Sequence, residues 1–168
     1  MLQEQAKTFY REEKDRKVVF FHQDCVDYLS FDDLLSHVAD VPHQDSKEIL
    51  GRGEARVFEA APNFKVLLRT SLRGGFFSIF CKRHYFRLPE TDVETLRQVQ
   101  ELYILSYLRS KGISVPFPVA AIICCSLGGL LYKGYLATRF VEGARNLYVL
   151  AEDDSQKELL MQACYDAG

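Results

Sequence analysis

Short apolar runs of strand character alternate along this chain with two stretches of helical spacing. Val18, Val19, Phe20 and Phe21 form a compact β-prone run. Residues 2–17 before it are polar and charged, with only Phe9 and Tyr10 to bury, and read as a loosely attached helix or tail. Ser30 ahead of Phe31, Asp32, Asp33, Leu34 and Leu35 puts a hydroxyl cap and early acids at the start of a helix that runs to about Val38. A loop around Pro42 follows, then three strand candidates near residues 48–51, 54–60 and 65–71. Thr91, Asp92, Val93 and Glu94 spell a capping box, and the long helix behind it is predicted to stop at Gly112. Pro116 and Pro118 make an extended connector. Residues 119–126 and 130–140 flank Gly128 and Gly129 and read as a hairpin, which Glu142, Gly143 and Ala144 end. A last helix is predicted from Ser155, with Leu159, Leu160, Ala163 and Cys164 on one face. The fold class that follows is α+β: an antiparallel sheet with one long helix laid on it.

Composition narrows the picture. A chain of 168 residues with 48% hydrophobic and 26% charged residues suits one domain with an ordinary core. A net charge of −2 argues against a dedicated nucleic-acid binder. The five cysteines are odd in number and form no CxxC pair, and the four histidines have no metal-ligand spacing, so a reduced protein without a metal site is expected. Neither a signal peptide nor an apolar run of spanning length is visible, although peripheral membrane contact stays open.

Two stretches carry candidate chemistry. Gly51, Arg52 and Gly53 lie between strand candidates, where two residues without Cβ let backbone N–H groups approach an anion. An ordinary turn is the plain alternative. Further on, no acid occurs between Glu59 and Glu90, while Lys65, Arg69, Arg73, Lys82, Arg83 and Arg87 are basic and Phe76, Phe77, Phe80, Tyr85 and Phe86 are interleaved with them. Such a segment suits an anionic membrane surface or an acidic glycolipid, with Arg73, Lys82, Arg83 and Arg87 as contacts. Aromatic packing onto the sheet would explain the same residues.

The order of parts resembles a protein-kinase N-terminal lobe: glycine-rich loop, basic third strand, glutamate-bearing helix, then two strands and a break. Five islands narrow the resemblance. They are Gly51-Arg52-Gly53, Leu68-Arg69 with Arg73-Gly74-Gly75, Glu101 with Leu105 and Leu108, Val115-Pro116 with Pro118, and Thr138 with Val141 and Gly143. In this order they are similar to the 3-deoxy-D-manno-octulosonic acid (Kdo) kinases of the lipopolysaccharide kinase superfamily. The resemblance implies a kinase-like lobe of five antiparallel strands and one long helix over residues 48–141. An extension would precede it (residues 1–47), and a hinge with the first helices of a truncated C-terminal lobe would follow (residues 142–168). It further implies ATP as cosubstrate, the Kdo sugar of a lipid A glycolipid as acceptor, and peripheral residence on the cytoplasmic side of the bacterial inner membrane.

Residue by residue, the resemblance assigns ATP contact to Gly51, Arg52 and Gly53, to Arg69 as the phosphate-gripping base, and to Glu101 as its ion-pair partner. Thr138, Arg139, Phe140 and Val141 become the hinge that meets the adenine edge. Lys65 rivals Arg69, and Arg97, one helical turn before Glu101, rivals Arg69 as that carboxylate's partner. No His-x-Asp…Asn loop occurs in these residues, so no catalytic residue is assigned, and Mg2+ is expected only in a full-length protein. The alternative implied by the missing loop is a non-catalytic, truncated or pseudo-kinase module that binds membrane glycolipid or a protein partner.

Overall fold

The computed structural model of the chain describes residues 6–38, 55–70, 84–88, 90–144 and 162. Its strands are β1 (Phe9–Lys14), β2 (Lys17–His22), β3 (Ala55–Ala61), β4 (Phe64–Thr70), β5 (Tyr85–Phe86), β6 (Pro118–Ser126) and β7 (Leu131–Arg139). Helix α1 (Phe31–Val38) follows β2, and helix α2 (Arg97–Ser110) follows β5. The strands form one seven-stranded sheet in the order β1-β2-β6-β7-β4-β3, with β5 beside the start of β7. Each of these pairings is antiparallel.

Alternation along the strands sorts side chains to two faces. Val19, Phe21, Phe58, Val66, Leu68, Ile122, Tyr135 and Ala137 pack with Phe31 and Leu34 of α1. Val18, Phe20, Ala121, Ile123, Tyr132 and Leu136 pack with Val99, Leu102 and Tyr103 of α2. The central strand β6 is covered on both faces, which is why its sequence is an unbroken apolar run rather than an alternating one.

Several local expectations hold. Ser30 caps α1: its Oγ accepts from Asp33 N–H at 3.2 Å, and Ser30 N–H donates back to the Asp33 carboxylate at 3.1 Å. At the end of α2, Gly112 takes a φ of 77°, open to glycine without strain. There Ile113 N–H reaches Leu108 C=O at 3.0 Å and Gly112 N–H reaches Arg109 C=O at 2.9 Å, the paired bonds of a Schellman stop. The predicted 119–126/130–140 hairpin is the β6–β7 pair.

Two expectations are corrected. Residues 9–14, read as a loose helix or tail, are strand β1, paired along its whole length with β2. Their alternation had only Phe9 on the inner side, because this edge strand shows charge to solvent at most other positions. With β1 and β2 from the N-terminal extension the sheet has seven described strands, five of them within residues 48–141. The capping box at Thr91 is not formed. Asp92 instead caps a 3-10 turn (Val93–Thr95), accepting from Glu94 N–H at 3.1 Å, and α2 starts at Arg97 with no side-chain cap bond at Leu96. The strand candidate at 48–51 and the helix predicted from Ser155 lie outside the described residues, except Gln162.

Candidate functional site

On β4 the side chains of Lys65, Leu67 and Arg69 alternate with the inward Val66 and Leu68, so they stand on the α2 side of the sheet. The register agrees: Arg69 lies opposite Leu136, which packs against α2. The Arg69 side chain is exposed and has no hydrogen bond or ion pair with a described residue. Lys65, the rival base, is already engaged. Its Nζ meets Glu142 Oε1 at 2.6 Å, and this pairing raises the lysine pKa and lowers that of the carboxyl. Of the two bases, Arg69 is therefore the one with its fork of donors unspent.

Glu101 does not pair with Arg69. Its Oε1 accepts from Arg97 Nε at 2.7 Å, one helical turn back. The pair is weak in kind, since the guanidinium is largely exposed and an arginine N-terminal to its glutamate is the less favourable order on a helix. Such a bond is easily exchanged for another cation on the same side.

The segment after β7 is partly spent in local bonding. Thr138 is buried between Leu67 of β4 and Pro118 of β6. Arg139 N–H donates to Phe117 C=O and Phe140 N–H to Lys65 C=O, both at 2.8 Å. The Arg139 guanidinium lies 5.5 Å from the Phe64 ring centroid. Val141 is half exposed, and while its C=O accepts from Ala144 N–H at 3.3 Å, its N–H meets no described residue. One main-chain donor is thus left at the end of the strand that neighbours Arg69.

On α2 itself, facing β7, lies a residue that the sequence did not mark. Gln98 is fully buried, yet neither its amide nitrogen nor its amide oxygen has a hydrogen-bond partner among the described residues. Its side chain is pressed on Gly134 of β7, where any Cβ would collide with the amide. The Tyr85 hydroxyl is likewise buried and unpartnered, and the Tyr85 ring stacks on Tyr132 at 5.3 Å. From sequence, a glutamine near the start of a helix reads as a solvent-facing residue, and only the close approach of α2 to Gly134 buries it.

The remaining candidates divide as follows. Gly51, Arg52, Gly53, Arg73, Lys82 and Arg83 lie outside the described residues. Arg87 is half-buried, with Nε donating to Thr91 C=O at 3.0 Å and Nη1 to Cys125 Sγ at 3.5 Å. No group of His, Cys, Asp or Glu among the described residues could hold a metal ion, and no described helix is long and apolar enough to cross a membrane.

An antiparallel sheet with α2 on one face, an unspent arginine on the strand beside β7 and a glutamate on that helix define a class, and sequence comparison gives its family. The chain belongs to the lipopolysaccharide kinase (Kdo/WaaP) family, whose model matches residues 36–166. Among curated proteins it is similar to the 3-deoxy-D-manno-octulosonic acid kinase of Vibrio cholerae serotype O1, 38% identical over 93 residues, covering 55% of this chain and 37% of that one. It is also similar to the kinases of the same name from Vibrio vulnificus YJ016 (32% identical, 67% of this chain and 45% of the relative) and Haemophilus influenzae PittGG (32% identical, 61% and 42%). The matches thus span less than half the length of these relatives. No solved structure matches the chain.

Proposed function

We propose that this chain is the nucleotide-binding portion of an ATP-dependent kinase that phosphorylates the Kdo sugar of a lipid A glycolipid. The observation that carries this reading is the unspent Arg69 guanidinium on the α2 side of β4, beside the strand that ends at Val141. Residues 48–141 form the nucleotide-binding lobe and residues 142–168 the hinge and the start of a second lobe. ATP supplies the phosphoryl group. Arg69 grips its phosphates through two parallel N–H donors, a geometry that a lysine cannot reproduce. Glu101 exchanges Arg97 for Arg69 and holds that fork in place. Val141 N–H, with the Arg139 and Phe140 carbonyls beside it, faces the adenine edge, and residues 51–53 cover the phosphates. Mg2+ would be held by carboxylates outside the assigned residues. The acceptor places the protein on the cytoplasmic side of the inner membrane, with Arg73, Lys82, Arg83 and Arg87 toward the glycolipid or the anionic surface.

The test is a calorimetric titration of the chain with ATP, alongside Arg69→Ala and Arg69→Lys. The expected result is saturable binding that weakens by about tenfold in Arg69→Ala, the loss of roughly one charge-assisted hydrogen bond, with partial retention in Arg69→Lys. Binding of equal strength in all three proteins would overturn the assignment of Arg69.

A further inference from the structure

At the other end of the sheet from Val141, three segments enclose a cleft on the α2 side. The eight steps of β7 from Arg139 back to Leu131 put it roughly 25 Å from the hinge. Its volume is about 280 Å³, and its walls include Arg11, Arg16, Arg87 and Glu13 over a floor of Val18, Val93 and Cys125, with Gly128 and Gly129 at the rim. We propose that this cleft is a binding site for a phosphate monoester. The site stands apart from the nucleotide reading and does not depend on it, although it shares Arg87 with the proposed glycolipid contacts.

Charge and size point the same way. Three guanidiniums against one carboxylate leave two positive charges, the complement of a phosphate monoester near neutral pH. The volume is at the lower end of small-molecule pockets, so it suits a phosphate with a short polyol attached better than a nucleotide. An apolar floor lowers the local dielectric and strengthens each charged hydrogen bond.

The walls are also tied together. Cys125 N–H donates to Arg16 C=O at 2.9 Å, which anchors the β1–β2 turn to β6. Arg87 N–H donates to Leu130 C=O at 2.8 Å, anchoring the segment after β5 to the β6–β7 turn. The Arg87 side chain spends two of its five donors on Thr91 and Cys125, which fixes its direction and leaves the rest for a ligand. Gly128 and Gly129, at φ 65° and 92°, present main chain without Cβ.

Arg16 is the most telling residue. The two-residue turn between β1 and β2 has φ of 50° at Asp15 and 63° at Arg16, the geometry that asparagine followed by glycine makes most easily. Any residue with a Cβ is strained there by its own backbone. The Arg16 main chain is held by the Cys125 bond, but its guanidinium is exposed and makes no bond to a described residue, so the side chain itself gains nothing within the described fold. Arg11 and Arg16 also precede residues 36–166, the region matched by the family model.

The experiment follows the arginine Nε–Hε signals of the 15N-labelled chain while inorganic phosphate is added. In parallel, it measures co-sedimentation with phosphatidylcholine vesicles with and without phosphatidic acid, a lipid that carries a phosphate monoester. The Arg16 and Arg87 signals are expected to shift saturably. Arg16→Gly relieves the turn and so keeps the fold, yet is expected to weaken phosphate binding by about tenfold. Glu13→Gln frees Arg11 from its 2.9 Å bond and is expected to tighten binding. Arg56→Gln, which removes the same charge from β3, should change neither. Vesicle binding that requires phosphatidic acid and is lost in Arg16→Gly would identify a lipid headgroup as the source. Phosphate binding without vesicle binding would identify a soluble ligand. Absence of both, or binding indifferent to Arg16→Gly, would overturn the proposal.

Discussion

The two faces of the sheet are built differently. The α1 face is an apolar layer in which Leu34, Phe31 and the β-strand side chains leave no described buried polar atom unsatisfied. The α2 face has an equally closed centre around Val99 and Leu102, but carries the unpartnered Gln98 amide, the buried Tyr85 hydroxyl, the unspent Arg69 and the arginine-lined cleft. Polar groups held without partners in a low-dielectric layer cost stability, so they concentrate where something else is gained. Under the proposed readings, one face serves stability and the other recognition.

That contrast can be broken most strongly at Leu34. It is fully buried on the α1 face, and Leu34→Ala is expected to cost about 2–5 kcal/mol in chemical denaturation. ATP and phosphate binding should be unchanged once corrected for the folded fraction. A loss of binding in the folded protein would show that the two faces are coupled.

The next effects lie on the α2 face. Gly134→Ala drives a methyl group into the Gln98 side chain and is expected to destabilise the protein by about 1–3 kcal/mol. Combining it with Gln98→Ala should recover part of that loss, and the double-mutant cycle measures the contact. If Gly134→Ala is as stable as the parent, α2 is not pressed on β7 as described. Gln98→Met, which keeps the volume and removes the unpaired amide, is expected to raise stability by about 1 kcal/mol.

The smallest effect is a pH dependence. Burial lowers the pKa of His22 and of His37 below the ordinary 6.5, and the neutral His22 Nδ1 accepts from Asp24 N–H at 3.3 Å. His37 stacks on Phe58 at 3.9 Å on the α1 face. A base whose pKa is depressed by folding binds more protons when unfolded. Stability is therefore expected to be full above pH 6.5 and to fall as the pH drops below it toward the lowered values. His37→Phe should reduce that slope in melting curves recorded between pH 7 and pH 5. An unchanged slope would mean that the stacked imidazole is protonated without cost.

Most of the local structure is legible from neighbouring residues. The Ser30–Asp33 cap, the Gly112 stop, the β6–β7 hairpin at Gly128 and Gly129, and the alternation that puts Arg69 opposite Val66 and Leu68 in direction all depend on residues within a few positions of one another. So does the Arg97–Glu101 pair, which competes with a partner across the sheet because a helical turn brings it close at little entropic cost. Where local signals were ambiguous, the reading failed: a mostly charged edge strand looks like a tail, and Thr91 and Asp92 are both plausible caps.

What the tertiary structure decided is of another kind. Strand β1 exists because Phe9 is covered by α2 and its main chain is paired by β2. Gln98 is buried because Gly134, thirty-six positions on, lets the helix approach. The phosphate cleft needs Arg11, Arg87 and Gly128 at one corner, and no sequence spacing encodes that proximity. Periodicity and turn chemistry act over one or two turns of chain and can be read along it, whereas a binding site is assembled by register and packing between distant segments.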